Sequence, residues 1–352
     1  MSNGNELPGL DEGSFAEDGI PISGSRDSTS QMNGEIAWAA AQANRMRDEI
    51  HKAIVGQDEV IDQVLVALLA GGHVLIEGVP GLGKTLLVRA LAKTFDGKHG
   101  RIQFTPDLMP SDVIGHVMYD MQQGQFKLRR GPIFTSLLLA DEINRAPAKT
   151  QAALLEAMQE LQVTLEGKAM ALPQPFMTLA TQNPVEQEGT YPLPEAQLDR
   201  FLLKIHIRYP EEEEEVDLTL RVIDHRVGDS FDLSGVTAFL SVADVQRMRQ
   251  AVTQVEIDEQ VVAYTVKLNR KTREWPGVSL GAGPRGPIAL LRAARAQALL
   301  SGRDFVLPDD VKAMAPPALR HRLMLSPDME IEGRTSDHII QDILEHVEAP
   351  RL

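Results

Sequence analysis

The sequence predicts an α/β nucleotide-binding domain, a parallel sheet covered by helices on both faces, followed by a mostly helical domain. Three observations carry that reading. Residues 78–85 read GVPGLGKT and lie between a strand-like apolar run, His73–Glu77, and a helix-like run, Leu86–Phe95. Residues 137–142 read LLLADE, a buried-strand pattern that ends in two adjacent carboxylates. Strand and helix patterns alternate up to about Pro210, and helical patterns replace them beyond it.

Residues 1–35 hold seven acids and one Arg among many Gly and Ser, with Phe15 as their one aromatic before Ile36. Such a segment buries too little apolar surface to fold alone, so it is expected as a disordered acidic tail, with partner docking or self-regulation as its possible roles. Helical pattern begins at Ile36 and runs to Asn44, with Ala53 as its outer limit. The segment IVGQDEVI (Ile54–Ile61) leads into a second helix that ends near Leu69. Two insertions interrupt the alternation that follows. Pro106–Phe134 has a turn at Gln122-Gln123-Gly124 and reads as one hairpin. Leu161–Pro173 has a strand, Glu-Gly-Lys, strand pattern and reads as another. The α/β domain therefore spans 36–210. In 211–352 the runs starting at Val216, Val242, Asp258, Pro287, Asp309 and Asp337 are helical. Glu211–Glu215 reads as the solvated start of a helix, where acids suit the dipole, with an acidic docking site as the rival reading.

The eight-residue glycine-rich match, in strand–loop–helix context, is the P-loop arrangement. Gly78, Gly81 and Gly83 let backbone N–H groups converge on an anion at a helix N-terminus. Lys84 then reaches the β- and γ-phosphates, and the Thr85 hydroxyl is placed to ligate Mg²⁺. Asp141 and Glu142 leave their strand at its C-terminal end, where open α/β sheets bind ligands. Adjacent carboxylates are costly without a cation. Asp141 would hold Mg²⁺ directly or through water, and Glu142 would polarise the attacking water. A third apolar run, Met177–Pro184, ends in Asn183, whose amide can hold the lytic water or the γ-phosphate against Glu142.

Composition bounds the rest. The absence of cysteine excludes disulfides, thiolate zinc sites and Cys nucleophiles. No apolar run approaches the roughly 20 residues needed to span a bilayer, and no secretory signal pattern opens the chain, so a cytoplasmic protein without direct membrane insertion is expected. The net charge of −15 and the lack of a basic stripe argue against nucleic acid as a partner.

Two arginines stand out. Arg200 follows an amphipathic turn in LPEAQLDRF (Leu193–Phe201). Arg285, in GAGPRGP (Gly281–Pro287), starts a helix, where a cation opposes the dipole. Either could pair with a surface acid or meet a phosphate.

Taken together, GVPGLGKT, LLLADEINRAPAKTQAALLEAMQE, LATQNPVEQEGTYPLPEAQLDRF and GAGPRG resemble the MoxR family of AAA+ ATPases, over roughly residues 36–350. The resemblance implies a P-loop AAA+ core followed by an all-α lid, with ATP and Mg²⁺ as cofactors. It implies that Val55, Gly56 and Gln57 line the adenine pocket and that Pro80, Gly81, Leu82, Gly83, Lys84, Thr85 and Leu86 hold the nucleotide. Asn183 would be sensor 1, Arg200 the finger acting on the adjacent subunit's nucleotide, and Arg285 sensor 2, acting on the nucleotide of its own subunit. The two insertions match the family's helix-2 insert and pre-sensor-1 hairpin. A ring, usually a hexamer, and a partner with a von Willebrand factor A domain are implied as well. Two rivals remain. An AAA+ relative acting on nucleic acid or transcription is one, although the helix-2 region reads DLMPSDVIGHVMYD where activators carry GAFTGA. A nucleotide-dependent scaffold that barely hydrolyses is the other, and Glu142 argues against it.

Overall fold

The computed structural model describes residue 1 and residues 25–79, 81–183, 190–223 and 233–351. Of the expected features, residues 2–24 of the tail, Pro80 of the P-loop and Pro184 after Asn183 lie outside the described residues.

Helix α1 runs Ser25–His51, so it begins within the segment expected as a disordered tail, upstream of Ile36. Its anchor is an apolar stripe at helical spacing, Ile36, Ala39, Ala40, Ala43, Met46 and Ile50, all buried. Once packing pays the nucleation cost, each further residue adds a backbone bond at little expense, and the helix propagates towards its N-terminus. Glu35 adds an ion pair to Arg247.

After α2 (Asp58–Leu69) come β1 (Val74–Glu77), α3 (Lys84–Thr94) and β2 (His99–Gln103). The first insertion follows as α4 (Pro110–Ile114) and the antiparallel ribbon β3 (Gly115–Asp120) and β4 (Gln125–Arg130), turning where the sequence predicted. Then come β5 (Leu137–Asp141) and α5 (Ala148–Glu160). The second insertion is the hairpin β6 (Gln162–Leu165) and β7 (Lys168–Ala171), with Glu166 and Gly167 both at positive φ in its turn. Next are β8 (Met177–Gln182), the short α6 (Glu195–Leu198) and β9 (Leu203–His206).

Five parallel strands pair in the order β2–β5–β8–β1–β9. Both faces are covered, which is why β1, β5 and β8 at the centre of the sheet read as apolar runs. Val74, Ile76, Leu137, Leu139, Leu179 and Ile205 face one core, whereas Leu75, Leu138, Ala140 and Ala180 face the other.

The rest of the chain is helical, as expected: α7 (Glu212–Ile223), α8 (Val242–Gln254), α9 (Glu259–Thr272), α10 (Arg285–Leu300), α11 (Pro308–Leu319), α12 (Pro327–Ile331) and α13 (Ser336–His346). A small ribbon of β10 (Val278–Leu280) and β11 (Met324–Leu325), too short for a sequence pattern, ties the lid together. Among the described residues the lid has no separate core. Residues of α8–α11 and α13 join one apolar cluster with α1, α2, α3 and a face of the sheet.

Candidate functional site

The P-loop leaves β1 at Glu77 and enters α3 at Lys84. Gly81 and Gly83 adopt φ of 89° and 75°, the left-handed region that a Cβ disfavours. Gly78 is needed for a different reason: a Cβ there would lie 2.9 Å from the Ile207 carbonyl oxygen, against the exit of β9. No side chain caps α3, so its first N–H groups remain for an anion. Lys84 Nζ donates to the Gly78 carbonyl across 2.6 Å, which lays the side chain along the loop. Burial pulls the Lys84 pKa down, and the charges of Asp141 and Glu142 oppose that pull, so the acid pair on β5 faces the P-loop lysine. A lysine, a helix N-terminus, a hydroxyl and two carboxylates are the donor set that suits a Mg²⁺ nucleotide.

The two carboxylates are braced from both neighbouring strands. Thr181 on β8 donates its hydroxyl to Asp141 Oδ1 at 2.6 Å and accepts the Glu142 N–H at 2.8 Å. From β2, Arg101 pairs with Asp141 Oδ2 at 2.6 Å, and Gln103 Nε2 donates to Glu142 Oε2 at 2.7 Å. Arg145 approaches the same Glu142 oxygen at 3.1 Å. Glu142 itself sits at φ 56°, a costly conformation for a residue with a Cβ, and these bonds hold it there. Sequence reading missed Arg101, Gln103, Arg145 and Thr181. Arg101 and Gln103 alternate along β2 on the face opposite its core residue Ile102, a weak signal that only strand order makes meaningful.

Asn183 is buried just past β8. It lines a cavity of about 630 Å³ between the sheet and the lid, together with Glu77, Lys204 and Arg320. Glu77 pairs with Lys204 at 3.0 Å and His206 at 3.1 Å across the β1–β9 pair. Burial would raise the Glu77 pKa, yet the bonds and charges of His206 and Lys204 outweigh it and bring it to about 2.

In the expected adenine segment, Gly56 and Gln57 both adopt positive φ, and Gln57 caps α2. Glu214 packs directly on Gly56, where a Cβ would come within 2.3 Å of its carboxyl carbon. The acidic run therefore does more than start a solvated helix. With Gln57, His206, Arg208 and Tyr209 it bounds a cavity of about 200 Å³.

Arg200 lies elsewhere. It stands just before β9, at the N-terminal edge of the parallel sheet, whereas the P-loop follows the C-terminal end of β1. The four residues of β1 separate those edges by about 13 Å. Arg200 Nη1 donates to the Leu155 carbonyl at 2.8 Å, and its buried Nε has no partner among the described residues. Arg285, the expected sensor 2, stands with it: its Nε is 3.8 Å from Asp199 Oδ2. Arg322 grips the other oxygen of Asp199 at 2.7 Å. Arg200 and Arg285 line one cavity of about 430 Å³ with Gly72 and His73, at the start of β1.

Comparison with known proteins gives the same two-domain fold. Residues 73–203 match the model of the ATPase family associated with various cellular activities, and residues 270–343 match the AAA lid domain. The chaperone MoxR1 of Mycobacterium tuberculosis is 42% identical over 86% of this chain and 81% of its own length. Protein MoxR of Methylorubrum extorquens is 35% identical over 89% of this chain and 96% of its own length. The uncharacterized protein YeaC of Bacillus subtilis is 47% identical over 86% of this chain and 93% of its own length. A solved structure from Cytophaga hutchinsonii, assigned there as an ATPase, superimposes with a TM-score of 0.85 at 42% identity, covering 92% of this chain and 99% of that one.

Proposed function

The chain belongs to the MoxR family of AAA+ ATPases, and from that premise we propose that it hydrolyses ATP with Mg²⁺ in a homo-oligomeric ring, a hexamer, and uses the cycle to remodel or mature a partner protein. The observation that supports a shared site is the placing of Arg200 and Arg285 at the sheet edge opposite the P-loop. A subunit built this way holds the phosphates at one edge and offers guanidiniums at the other, so each site is completed by a neighbour.

Within a subunit, Lys84 and the loop N–H groups hold the β- and γ-phosphates. Thr85 and Asp141 would hold Mg²⁺, which when bound neutralises phosphate charge. Thr181 aligns both acids, Glu142 takes the proton of the attacking water, and Asn183 holds that water or the γ-phosphate in place. The neighbour's Arg200 and Arg285 stabilise charge on the transferring phosphoryl group. Arg285 is thereby assigned to the adjacent subunit's nucleotide, together with the finger.

Family resemblance supplies the partner class, a protein with a von Willebrand factor A domain, and the cysteine-free composition supports a cytoplasmic setting. No helix among the described residues is long and apolar enough to cross a membrane. The strongly acidic chain disfavours nucleic acid as the client. The shared site is tested by mixing Arg200→Ala with Lys84→Ala subunits, each inactive alone. ATPase activity should recover in the mixture, and a co-assembled mixture that stays inactive overturns the reading. The partner class is tested with a Glu142→Gln protein loaded with ATP. It should retain a von Willebrand factor A domain protein from the same cells, and retention of none overturns that assignment.

A further inference from the structure

The cavity shared by Arg200 and Arg285 carries more positive charge than two arginines supply. Arg292 and Arg322 also line it, and Asp199 is its one acid, in a chain whose net charge is −15. Arg322 is spoken for, being buried against Asp199 and the carbonyls of Phe201 and Ala318. Arg292 is different. It lies on α10 seven residues after Arg285, on the helix face that Ile288 and Ala289 also turn towards the cavity.

Arg292 Nη2 donates to the carbonyls of Ala70 at 2.6 Å and Gly71 at 3.2 Å, at the end of α2. Among the described residues it has no acidic partner, and its Nη1 and Nε bond to no protein atom. Behind it Arg249, also without an acid, donates to the Leu68 carbonyl. Burial, and then the charge of Arg292, pulls the Arg249 pKa down to about 10. The C-terminal carbonyls of α2 offset part of this charge. The remainder favours an anion with several oxygens, and a guanidinium fixed along one edge presents its free N–H groups as a fork suited to phosphate.

We propose that Arg292 is a third guanidinium of the finger face and meets the phosphates of a nucleotide bound by the neighbouring copy. The assignment rests on the reading that sites are completed between subunits. Arg200, Arg285 and Arg292 line the same cavity, and together they stabilise charge on the transferring phosphoryl group.

Arg292→Gln is the informative variant, because its amide can still donate to the Ala70 or Gly71 carbonyl while the charge is gone. Full-length parent, Arg292→Gln, Arg292→Lys and Arg200→Ala proteins are compared for thermal unfolding, binding of a fluorescent ATP analogue and steady-state ATPase. Arg292→Gln should unfold and bind nucleotide like the parent, lose about tenfold or more in kcat, and regain activity on mixing with Lys84→Ala subunits. Arg292→Lys should fall between the two. A parental kcat for Arg292→Gln overturns the proposal. So does a loss that Lys84→Ala subunits fail to restore while they do restore Arg200→Ala, because Arg292 then acts within its own subunit as a lid-to-core contact. If neither variant is restored in a co-assembled mixture, the shared site fails and the role of Arg292 falls with it.

Discussion

Gln103 donates a 2.7 Å hydrogen bond to the carboxylate of Glu142, the group that activates water in this reading of the site. The two side chains come from adjacent parallel strands, Gln103 closing β2 opposite Asp141 in the register. That bond occupies one lone pair of the Glu142 Oε2. The contact therefore restrains Glu142 as well as orienting it.

Gln103→Leu should raise the basal ATPase rate, because it removes the shorter of the two bonds, from Gln103 and Arg145, that compete with water for that oxygen. The ceiling is set by the worth of one hydrogen bond, about 1 kcal/mol, or roughly fivefold in rate. Steady-state phosphate release at saturating ATP measures it. A drop below the parent rate would mean that Gln103 chiefly aligns Glu142.

Lys84→Ala and Glu142→Gln should separate grip from chemistry. Lys84→Ala should abolish nucleotide binding. Glu142→Gln should bind ATP normally and fail to turn it over. Fluorescent-nucleotide binding and phosphate release decide between them, and parental hydrolysis by Glu142→Gln would show that the β5 carboxylate has been misassigned.

His73 makes the fold acid-sensitive. Its ring is buried, with Nε2 donating to the Met158 carbonyl at 3.1 Å and Nδ1 accepting the Thr178 N–H at 3.0 Å. Burial is the main cause that brings its pKa from 6.5 to about 4. The neutral ring is the native one, so its contribution is complete above pH 6.5 and is lost as pH falls through 4. The full loss is about 3 kcal/mol. Urea unfolding at pH 7.5 and pH 4.5 should show a steeper decline for the parent than for His73→Gln. Parallel declines would remove His73 as the cause, leaving His321, whose pKa burial also lowers.

The chemistry-bearing motifs were legible because each is contiguous: the P-loop, the acid pair after Leu137–Ala140, and Asn183 after its apolar run. Both hairpins were legible from their turn residues. The brace around the acids was not. Arg101, Gln103 and Thr181 reach Asp141 and Glu142 only because β2 and β8 flank β5, and strand order is a property of the whole sheet. The start of α1 was hidden for a related reason, since packing of Ile36 and Met46 supports a helix that local composition disfavours. For Arg285, the misfit at a helix start was visible in the sequence, but its neighbour Asp199 lies 86 residues away (285 − 199).

That pairing yields the sharpest prediction. If Arg285 serves the adjacent subunit's nucleotide, Arg285→Ala should behave as Arg200→Ala does. Each uniform mutant should bind ATP through its intact P-loop and hydrolyse it slowly, with losses for Arg200 of about 10³-fold or more. Mixed with Lys84→Ala subunits, Arg285→Ala should recover, because its P-loop then meets an intact finger face. Mixed with Arg200→Ala subunits, it should stay slow, because every finger face in the ring lacks one guanidinium. An Arg285 that served its own P-loop would reverse both outcomes. Mixing with Lys84→Ala would then leave no subunit with both Lys84 and Arg285. Mixing with Arg200→Ala would instead unite a whole P-loop site with a whole finger. Phosphate release from the two mixtures, after co-assembly is verified, therefore assigns Arg285 to one side of the interface.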